Sequence, residues 1–421
     1  MELRAVKGMN DILPEEIGRW HRLETTFRRV VELYGYREVR TPIVEPTQLF
    51  VRSIGEATDV VEKEMYSFRR HDDDLTLRPE GTAGAARAYL EHKVHAREPV
   101  SRWYYLGPMF RGERPARGRY RQFYQAGAEL YGEAGPLCDA EMIDMLARFL
   151  QQLGLHQVEV LINSLGGPTT RQRYRQALVD FFTPRADQLS DDSRRRLEKN
   201  PLRILDSKAA SDQALCAEAP SILDVLDDDD QAHFDGLRRY LDVPKTPYRV
   251  DPRLVRGLDY YTRTLFELRG TGGELGAQNA LGGGGRYDHM IRELGGPDTP
   301  CIGFALGLER LLLAMEPEPI AQAGWVYVAP LGEAAQREAL RLATELREAG
   351  IEARVDGRGQ KLNRMLPRAS SSGARFCVIL GDGELERGIV ALKDLATHTQ
   401  EEPARDRLLP RLRELLGEDA R

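Results

Sequence analysis

Cysteine is scarce in this chain: four in 421 residues, at 138, 216, 301 and 377, with no CxxC pair. That spacing suits neither a disulfide framework nor a zinc site, and it fits a reducing, cytoplasmic compartment. No apolar run reaches transmembrane length and no signal-peptide pattern opens the chain, so no membrane partner is expected. Surplus positive charge is lacking too. Lys and Arg number 60 against 66 Asp and Glu, a formal net charge of −6. Non-specific coating of nucleic acid is therefore disfavoured, and any nucleic acid must be met by local basic patches. His92 and His95 form an HxxH without the Glu of a zincin and read as a solvated helix face. Two common nucleotide loops are missing as well. Gly282 to Gly285 reads as a Gly-rich turn followed by Arg286-Tyr287-Asp288, not Gly-Lys-Ser/Thr, and no GxGxxG opens a helix after a strand. A nucleotide, if bound, lies on a sheet surface held by arginines, whose planar fork grips phosphate oxygens at two points.

What is present is an ordinary globular composition, 41% hydrophobic and 30% charged, over a length that suits two or three domains. The most informative block is Arg111 to Glu129, RGERPARGRYRQFYQAGAE. It reads as two strands joined by a basic turn with Arg114, Pro115, Arg117, Gly118 and Arg119. Alternation with period two puts Phe123, Gln125, Gly127 and Glu129 on one face. An aromatic plate, an amide, a gap and a carboxylate describe a floor for a flat, charged ligand.

The remaining pattern frames that block. Pro14 to Tyr34 and Asp139 to Leu153 read as amphipathic helices, and Leu75 to Arg78, Arg102 to Arg111 and Arg121 to Tyr131 as strands. Tyr36 to Val44 is extended, with Pro42 marking an edge or a bend. From about 168 to 242 the chain reads as a charged, helical insertion, and its Asp227 to Asp230 run as a solvated turn. Strand signals resume at Tyr248 to Val250 and Thr264 to Leu268. Cys301 to Ala305 is a strand running into a helix. Pro317 and Pro319 mark a linker, and an alternating α/β unit of about a hundred residues follows. Three arginines stand beside glycines or at element ends: Arg111, Arg256 in RLVRGLDYY, and Arg310 in GFALGLERL.

These stretches together resemble the class II aminoacyl-tRNA synthetases, and within them the histidine-specific family, over nearly the whole length. GYREVRTPIVE resembles motif 1, FRGERPARGRYRQFYQAGAE motif 2 and GFALGLERL motif 3. RLVRGLDYYTRTLFE and GGGRYD resemble the stretches peculiar to the histidine enzymes. The resemblance implies an α+β catalytic domain over 1–318, an antiparallel sheet flanked by helices and interrupted by the helical insertion. It implies an α/β anticodon-binding domain over 323–421.

By the same resemblance, Arg111 meets the α-phosphate of ATP and the histidine carboxylate. Glu113 reads the adenine amino group, Phe123 stacks on adenine, and Arg310 covers its other face and holds the γ-phosphate. Glu80, Thr82 and Gln125, with Gly81 between the first two, hold the α-amino group of histidine. Glu129 and Tyr261 bond the imidazole, with Tyr260 beside them and Tyr287 near the pocket. Arg256 sits on the carboxylate and α-phosphate, so Arg111 and Arg256 carry the catalysis. ATP, histidine and tRNA(His) are the implied substrates, Mg²⁺ accompanies ATP without an assigned protein ligand, and no zinc is expected. Arg114, Arg117 and Arg119 reach the tRNA acceptor end, and motif 1 implies a homodimer. The segment KLNRMLPRASSSGARF departs from the family pattern, with Pro367 inside an expected helix and serines at 370–372. A regulatory paralogue that binds histidine without charging tRNA is the second reading. The three arginines and the C-terminal segment weigh against it.

Overall fold

The computed structural model describes residues 3–55, 58, 60–256, 258, 260–271, 279–316, 324–359 and 361–417. The Pro317–Pro319 linker and Gly257 and Asp259 of the RGLDYY stretch lie outside the described residues. The chain divides into two compact units, Met1–Pro317 and Glu318–Arg421.

In the first unit, helix α1 (Pro14–Leu33) carries proline in its first turn, where no N–H is needed. It buries Trp20, Leu23, Phe27, Val30 and Val31. Gly35, at φ 83°, turns the chain out of the helix. Pro42 lies between edge strand β1 (Arg37–Glu38) and β2 (Val44–Pro46), where the chain passes from the main sheet to a separate three-stranded one. Helix α2 (Thr47–Ile54) is followed by the hairpin β3 (Tyr66–Arg70) and β4 (Asp73–Leu77), which completes that small sheet. Helix α3 (Thr82–Glu91) leads to the long antiparallel pair β5 (Ser101–Phe110) and β6 (Gln122–Tyr131). Then come helix α4 (Pro136–Gln152) and strand β7 (Val158–Ser164). The helical stretch holds α5 (Pro168–Phe182), α6 (Asp191–Lys199), α7 (Ala210–Cys216) and α8 (Asp228–Asp242). Strands β8 (Arg249–Val250), β9 (Thr262–Gly270) and β10 (Ala280–Arg286), helix α9 (Met290–Glu293), strand β11 (Cys301–Gly307) and helix α10 (Leu308–Ala314) complete the unit.

The main sheet runs β1-β5-β6-β11-β10-β9-β7-β8. It is antiparallel inside and has a parallel pair at each edge, β1 with β5 and β7 with β8. It is therefore a mixed sheet rather than a purely antiparallel one. One face packs on α1, α4, α8 and α10 through residues such as Phe27, Phe149, Leu237, Phe304 and Leu311. The even-numbered residues Ala126, Ala128 and Leu130 of β6 point there, and the odd-numbered ones face the other way.

Three expectations are corrected. Gly282 to Gly285 is not a turn but the middle of β10. A glycine run normally signals a turn, yet here neighbours crowd the strand from both sides. A Cβ on Gly283 would come within 2.6 Å of the Phe266 carbonyl oxygen and 2.9 Å of Arg256 Nη1. The acidic run is not a free turn either. Asp227 caps α8, its side chain accepting from the Asp230 N–H, and Asp230 is buried against Arg263, Thr170 and the Gly167 amide. Carboxylates are favoured at that end of a helix. Finally, the helical stretch is not one module. Phe234, Leu237 and Leu241 of α8 join the main core. Tyr174, Leu178, Phe182, Ile204 and Ile222 form a separate cluster on the opposite face, over Leu161 and Leu265.

In the second unit, strand β12 (Val326–Pro330), helix α11 (Glu333–Glu348), strand β13 (Ala353–Val355), helix α12 (Leu362–Ser371) and strand β14 (Phe376–Leu380) alternate. Helix α13 (Asp382–Arg387), strands β15 (Ala391–Asp394) and β16 (Gln400–Glu401) and helix α14 (Leu408–Leu416) follow. The sheet order is β13-β12-β14-β15-β16, parallel over its first three strands. Pro367 lies inside α12, which nonetheless continues to Ser371.

Candidate active site

The odd-numbered face of β6 forms the floor. Register sets Glu129 opposite Gly303 of β11, Gly303 opposite Gly285 of β10, and Gly285 opposite Leu265 of β9. The floor is thus nearly bare beside a single carboxylate. A Cβ on Gly303 would collide with Glu129 Oε2, so glycine there lets the carboxylate lie over the neighbouring strand. Gly81 and Gly127 play the same part for Tyr105, whose ring occupies the space a Cβ on either would fill.

Glu129 is fully buried and takes three hydroxyl donors. Thr82 Oγ1 donates to Oε1 at 2.7 Å, Tyr105 Oη to Oε1 at 3.0 Å, and Tyr287 Oη to Oε2. Burial pushes its pKa up to about 8, and the Tyr287 and Thr82 hydrogen bonds only partly oppose that. Tyr287 is held in turn by its neighbour. Arg286 is completely buried, with Nη1 2.6 Å from Asp139, which also meets His233 at 2.8 Å and Thr264 at 2.6 Å.

A cavity of about 150 Å³ opens over this floor. Glu80, Thr82, Arg111, Glu113, Arg119, Phe123, Gln125, Arg256, Tyr260, Tyr261, Tyr287 and Arg310 all line it. Arg111 lies with its guanidinium 5.3 Å from the Phe123 ring centre, and its Nε donates to the Pro79 carbonyl at 2.9 Å. Arg256 lies against Gly283 and pairs with Glu267 of β9 at 2.8 Å. Burial draws its pKa down, but Tyr261 and Glu267 more than reverse this, and the group stays charged. Arg310 is anchored to the Gly118 and Ala280 carbonyls at 3.0 and 2.7 Å. Gln125 Oε1 is buried without a hydrogen-bond partner among the described residues.

Other expected residues are placed less openly. The Glu80 carboxylate accepts the Thr82 and Ala83 amides at 2.6 and 2.8 Å and so caps α3. Gly81 is the N-cap residue and does not line the cavity. Glu113 is ion-paired to Arg119 and lies 3.8 Å from Arg111. Arg114 and Arg117 are exposed on the β5–β6 loop, outside the cavity. Tyr105, Glu267 and Gly303 belong to the site and escaped sequence reading. No local signal marks Tyr105, whose part comes from lying opposite Gly127 in the hairpin register.

A family model described as histidyl-tRNA synthetase matches residues 8–311, and one described as anticodon binding domain matches 325–415. A histidine–tRNA ligase of Sorangium cellulosum is 64% identical over 402 residues, 96% of this chain and 94% of that protein. That of Geobacter metallireducens is 49% identical over 94% of this chain and 96% of its own length. Among solved structures, apo histidyl-tRNA synthetase of S. aureus superposes with a TM-score of 0.82 at 36% identity. That match covers 97% of this chain and 99% of the other.

Proposed function

The chain belongs to the histidyl-tRNA synthetase family, and on that premise we propose how its pocket works. The protein is an ATP-dependent histidine–tRNA ligase, which activates histidine and joins it to tRNA. Histidine lies at the Glu129 end of the floor. Its imidazole meets Glu129 and Tyr261, with Tyr260 and Tyr287 beside it. Its ammonium meets Gln125, whose buried oxygen needs a donor, and Thr82 and Glu80 lie within the same wall. ATP lies at the other end, adenine between Phe123 and Arg310 with Glu113 at its amino group. The two substrates meet beneath Arg111 and Arg256.

In the first step a carboxylate oxygen of histidine bonds to the α-phosphorus, and pyrophosphate leaves with the electron pair of the broken P–O bond. An ionised carboxylate has no proton to lose, so no general base is needed. The barrier lies in bringing two anions together and spreading the charge that develops. Two guanidiniums held in advance, Arg111 by a carbonyl and Arg256 by Glu267, do this in a water-poor site. In the second step a ribose hydroxyl of the tRNA end bonds to the acyl carbon, AMP leaves with the electron pair of the broken acyl C–O bond, and the hydroxyl proton passes to the departing phosphate or to solvent.

Mg²⁺ enters with ATP as part of the substrate. Among the described residues no group of three or more His, Cys, Asp or Glu could hold an ion by itself. An ion that comes with ATP is gripped mainly by phosphate oxygens, with one or two carboxylates at most. Glu113 and Glu309 are the carboxylates in the ATP half of the cavity.

Selectivity follows from the same geometry. A side chain without paired ring nitrogens leaves Glu129 and Tyr261 unmatched, a mismatch that can give discrimination of about 10⁴ to 10⁵. Residues 1–318 form the catalytic domain and 323–421 the anticodon-binding domain. Arg114, Arg117 and Arg119 meet the acceptor end, and the enzyme works as a homodimer. Four free, buried cysteines support a reducing, cytoplasmic setting. Among the described residues no helix is long and apolar enough to cross a membrane.

The observation that carries this reading is a cavity lined by Arg111 and Arg256 together with Thr82, Tyr287 and Gly303, the residues that hold the buried Glu129 carboxylate just beneath it. ATP–pyrophosphate exchange tests it. Exchange should require histidine and accept no other amino acid. Exchange that ignores histidine, or that another amino acid supports, would overturn it.

A further inference from the structure

Among the described residues, His71, Lys93, Lys245, Arg263 and His398 hold a positive φ without being glycine. Four of them lie in the links between elements, where the chain turns. Arg263, at φ 43°, lies inside strand β9. A side chain in that left-handed region is strained, and the surrounding structure has to hold it there. Two residues before it stands Tyr261, which lines the cavity. The strand is irregular at the same point. On β10, Gly285 faces Leu265, and the next residue, Arg286, faces Thr262. Arg263 and Thr264 are therefore extra residues, a bulge, which bends a strand and re-aims the side chains beside it. A Cβ on Gly285 would come within 2.4 Å of the Thr264 carbonyl oxygen and 3.0 Å of Tyr261 Cδ1. The bulge and the tyrosine ring thus share one space that glycine keeps clear.

What holds Arg263 comes from elsewhere in the sequence. Asp230 of α8 accepts from Arg263 Nε at 3.0 Å, and its other oxygen accepts from the Gly167 amide and Thr170 Oγ1, both at 2.7 Å. Burial alone would raise its pKa, but Thr170, the Gly167 amide and Arg263 more than reverse this, and the carboxylate stays ionised. Three residues on, His233 meets Asp139, which accepts from Thr264 Oγ1. Helix α8 thus grips both residues of the bulge. Backbone bonds fix its other edge. The Leu165 N–H donates to the Arg263 carbonyl at 2.7 Å, and the Arg263 N–H to the Gly166 carbonyl at 3.0 Å. Gly166 also leaves room for the carboxylate, since a Cβ there would come within 2.9 Å of Asp230 Oδ2.

We propose that Asp230 is a positioning residue for histidine selection: it holds Arg263 in the left-handed conformation that forms the bulge, and the bulge aims Tyr261 at the imidazole. The inference rests on reading Tyr261 as a partner of the imidazole. It gives the last carboxylate of the acidic run a part in a site that is distant in the sequence.

Histidine-dependent ATP–pyrophosphate exchange by the full-length enzyme tests this. Asp230→Asn should raise the KM for histidine about tenfold, the scale of one polar contact, and leave the KM for ATP within about twofold of wild type. Tyr261→Phe should raise the histidine KM similarly. The two changes together should do little more than either alone, because Asp230 acts through Tyr261. Position 263 separates backbone from charge, since glycine enters the left-handed region freely and valine resists it. Arg263→Gly should keep the histidine KM within about twofold of wild type and restore it in the Asp230→Asn background, whereas Arg263→Val should raise it about tenfold. The glycine and valine variants decide the matter even if Asp230→Asn fails to fold. An unchanged histidine KM in Asp230→Asn overturns the proposal. So do additive effects of Asp230→Asn and Tyr261→Phe, or an Arg263→Gly enzyme as impaired as Arg263→Val. Tyr261→Phe with a wild-type KM strikes the reading of the histidine pocket itself, and the proposal with it, so the two failures are told apart.

Discussion

Glu129 concentrates the chemistry of the histidine pocket in one proton. Its folded pKa of about 8 lies above the usual carboxylate range, so below pH 8 the free pocket holds a neutral acid. An imidazole N–H needs the ionised form as acceptor. Wild-type kcat/KM for histidine should therefore rise with pH through the range below 8 and level above it. In Glu129→Gln that limb should vanish, leaving only the titration of free histidine near pH 6.5, which both proteins share. A wild-type profile no steeper than the variant's would refute the assignment. The same proton affects stability. A raised folded pKa means that the native state holds more protons than the unfolded chain between roughly pH 4 and 8, so stability falls as pH rises through that window. Glu129→Gln should gain stability relative to wild type across it, measured by denaturant midpoints. Arg256→Ala should cut the adenylation rate by about 10² to 10³ and change ATP affinity far less, because its contact strengthens where charge develops. An equal loss in both would argue against that role. Phe123, Gln125 and Glu129 could be placed on one face from the sequence because alternation along a strand is local. Tyr105 and Gly303 could not, because their part comes from which residue lies opposite on the next strand.

At the scale of elements, β10 shows where local reading fails. Four glycines in a row signal a turn in any short window. Here the chain is a strand because Phe266, Arg256 and the β11 backbone crowd it on both sides, and none of these is near in sequence. Helix α12 shows the reverse case. The sequence predicts a helix and a conflict within it, and both are present, with Pro367 inside the helix. Pro367 lacks the N–H for one helical bond. Interior proline costs about 3 kcal/mol in propensity, offset by about 1 kcal/mol through a stiffer unfolded chain. Pro367→Ala should therefore raise the stability of the C-terminal unit by about 2 kcal/mol in chemical denaturation, and a loss would show that the ring packs productively. The helical stretch was legible as helical, but its division was not. An amphipathic stripe on α8 gives a buried face without saying which core will bury it.

For the whole molecule, the alternating α/β pattern after residue 325 and the strand-rich half before it were legible because each repeats a simple period over many residues. The two halves have separate hydrophobic cores. Calorimetry should accordingly show two transitions rather than one. Histidine with ATP should raise the transition of the N-terminal unit by mass action, while Pro367→Ala should move the other. A single transition responding to both would contradict independent cores.

The bare floor also limits how this enzyme can vary. Glycine has no smaller replacement, so no exchange at position 303 can relieve the crowding that even a methyl group brings to Glu129 Oε2. Gly303→Ala should raise the KM for histidine more than tenfold, about the effect of one lost polar contact. Relief has to come from across the strand pair, by drawing the carboxylate back. Glu129→Asp, harmful alone because it shortens the reach to the ligand, should partly restore histidine use in the Gly303→Ala background. Positions 129 and 303 would then tolerate change only together, as a lineage passing through the double variant could and one passing through either single variant could not.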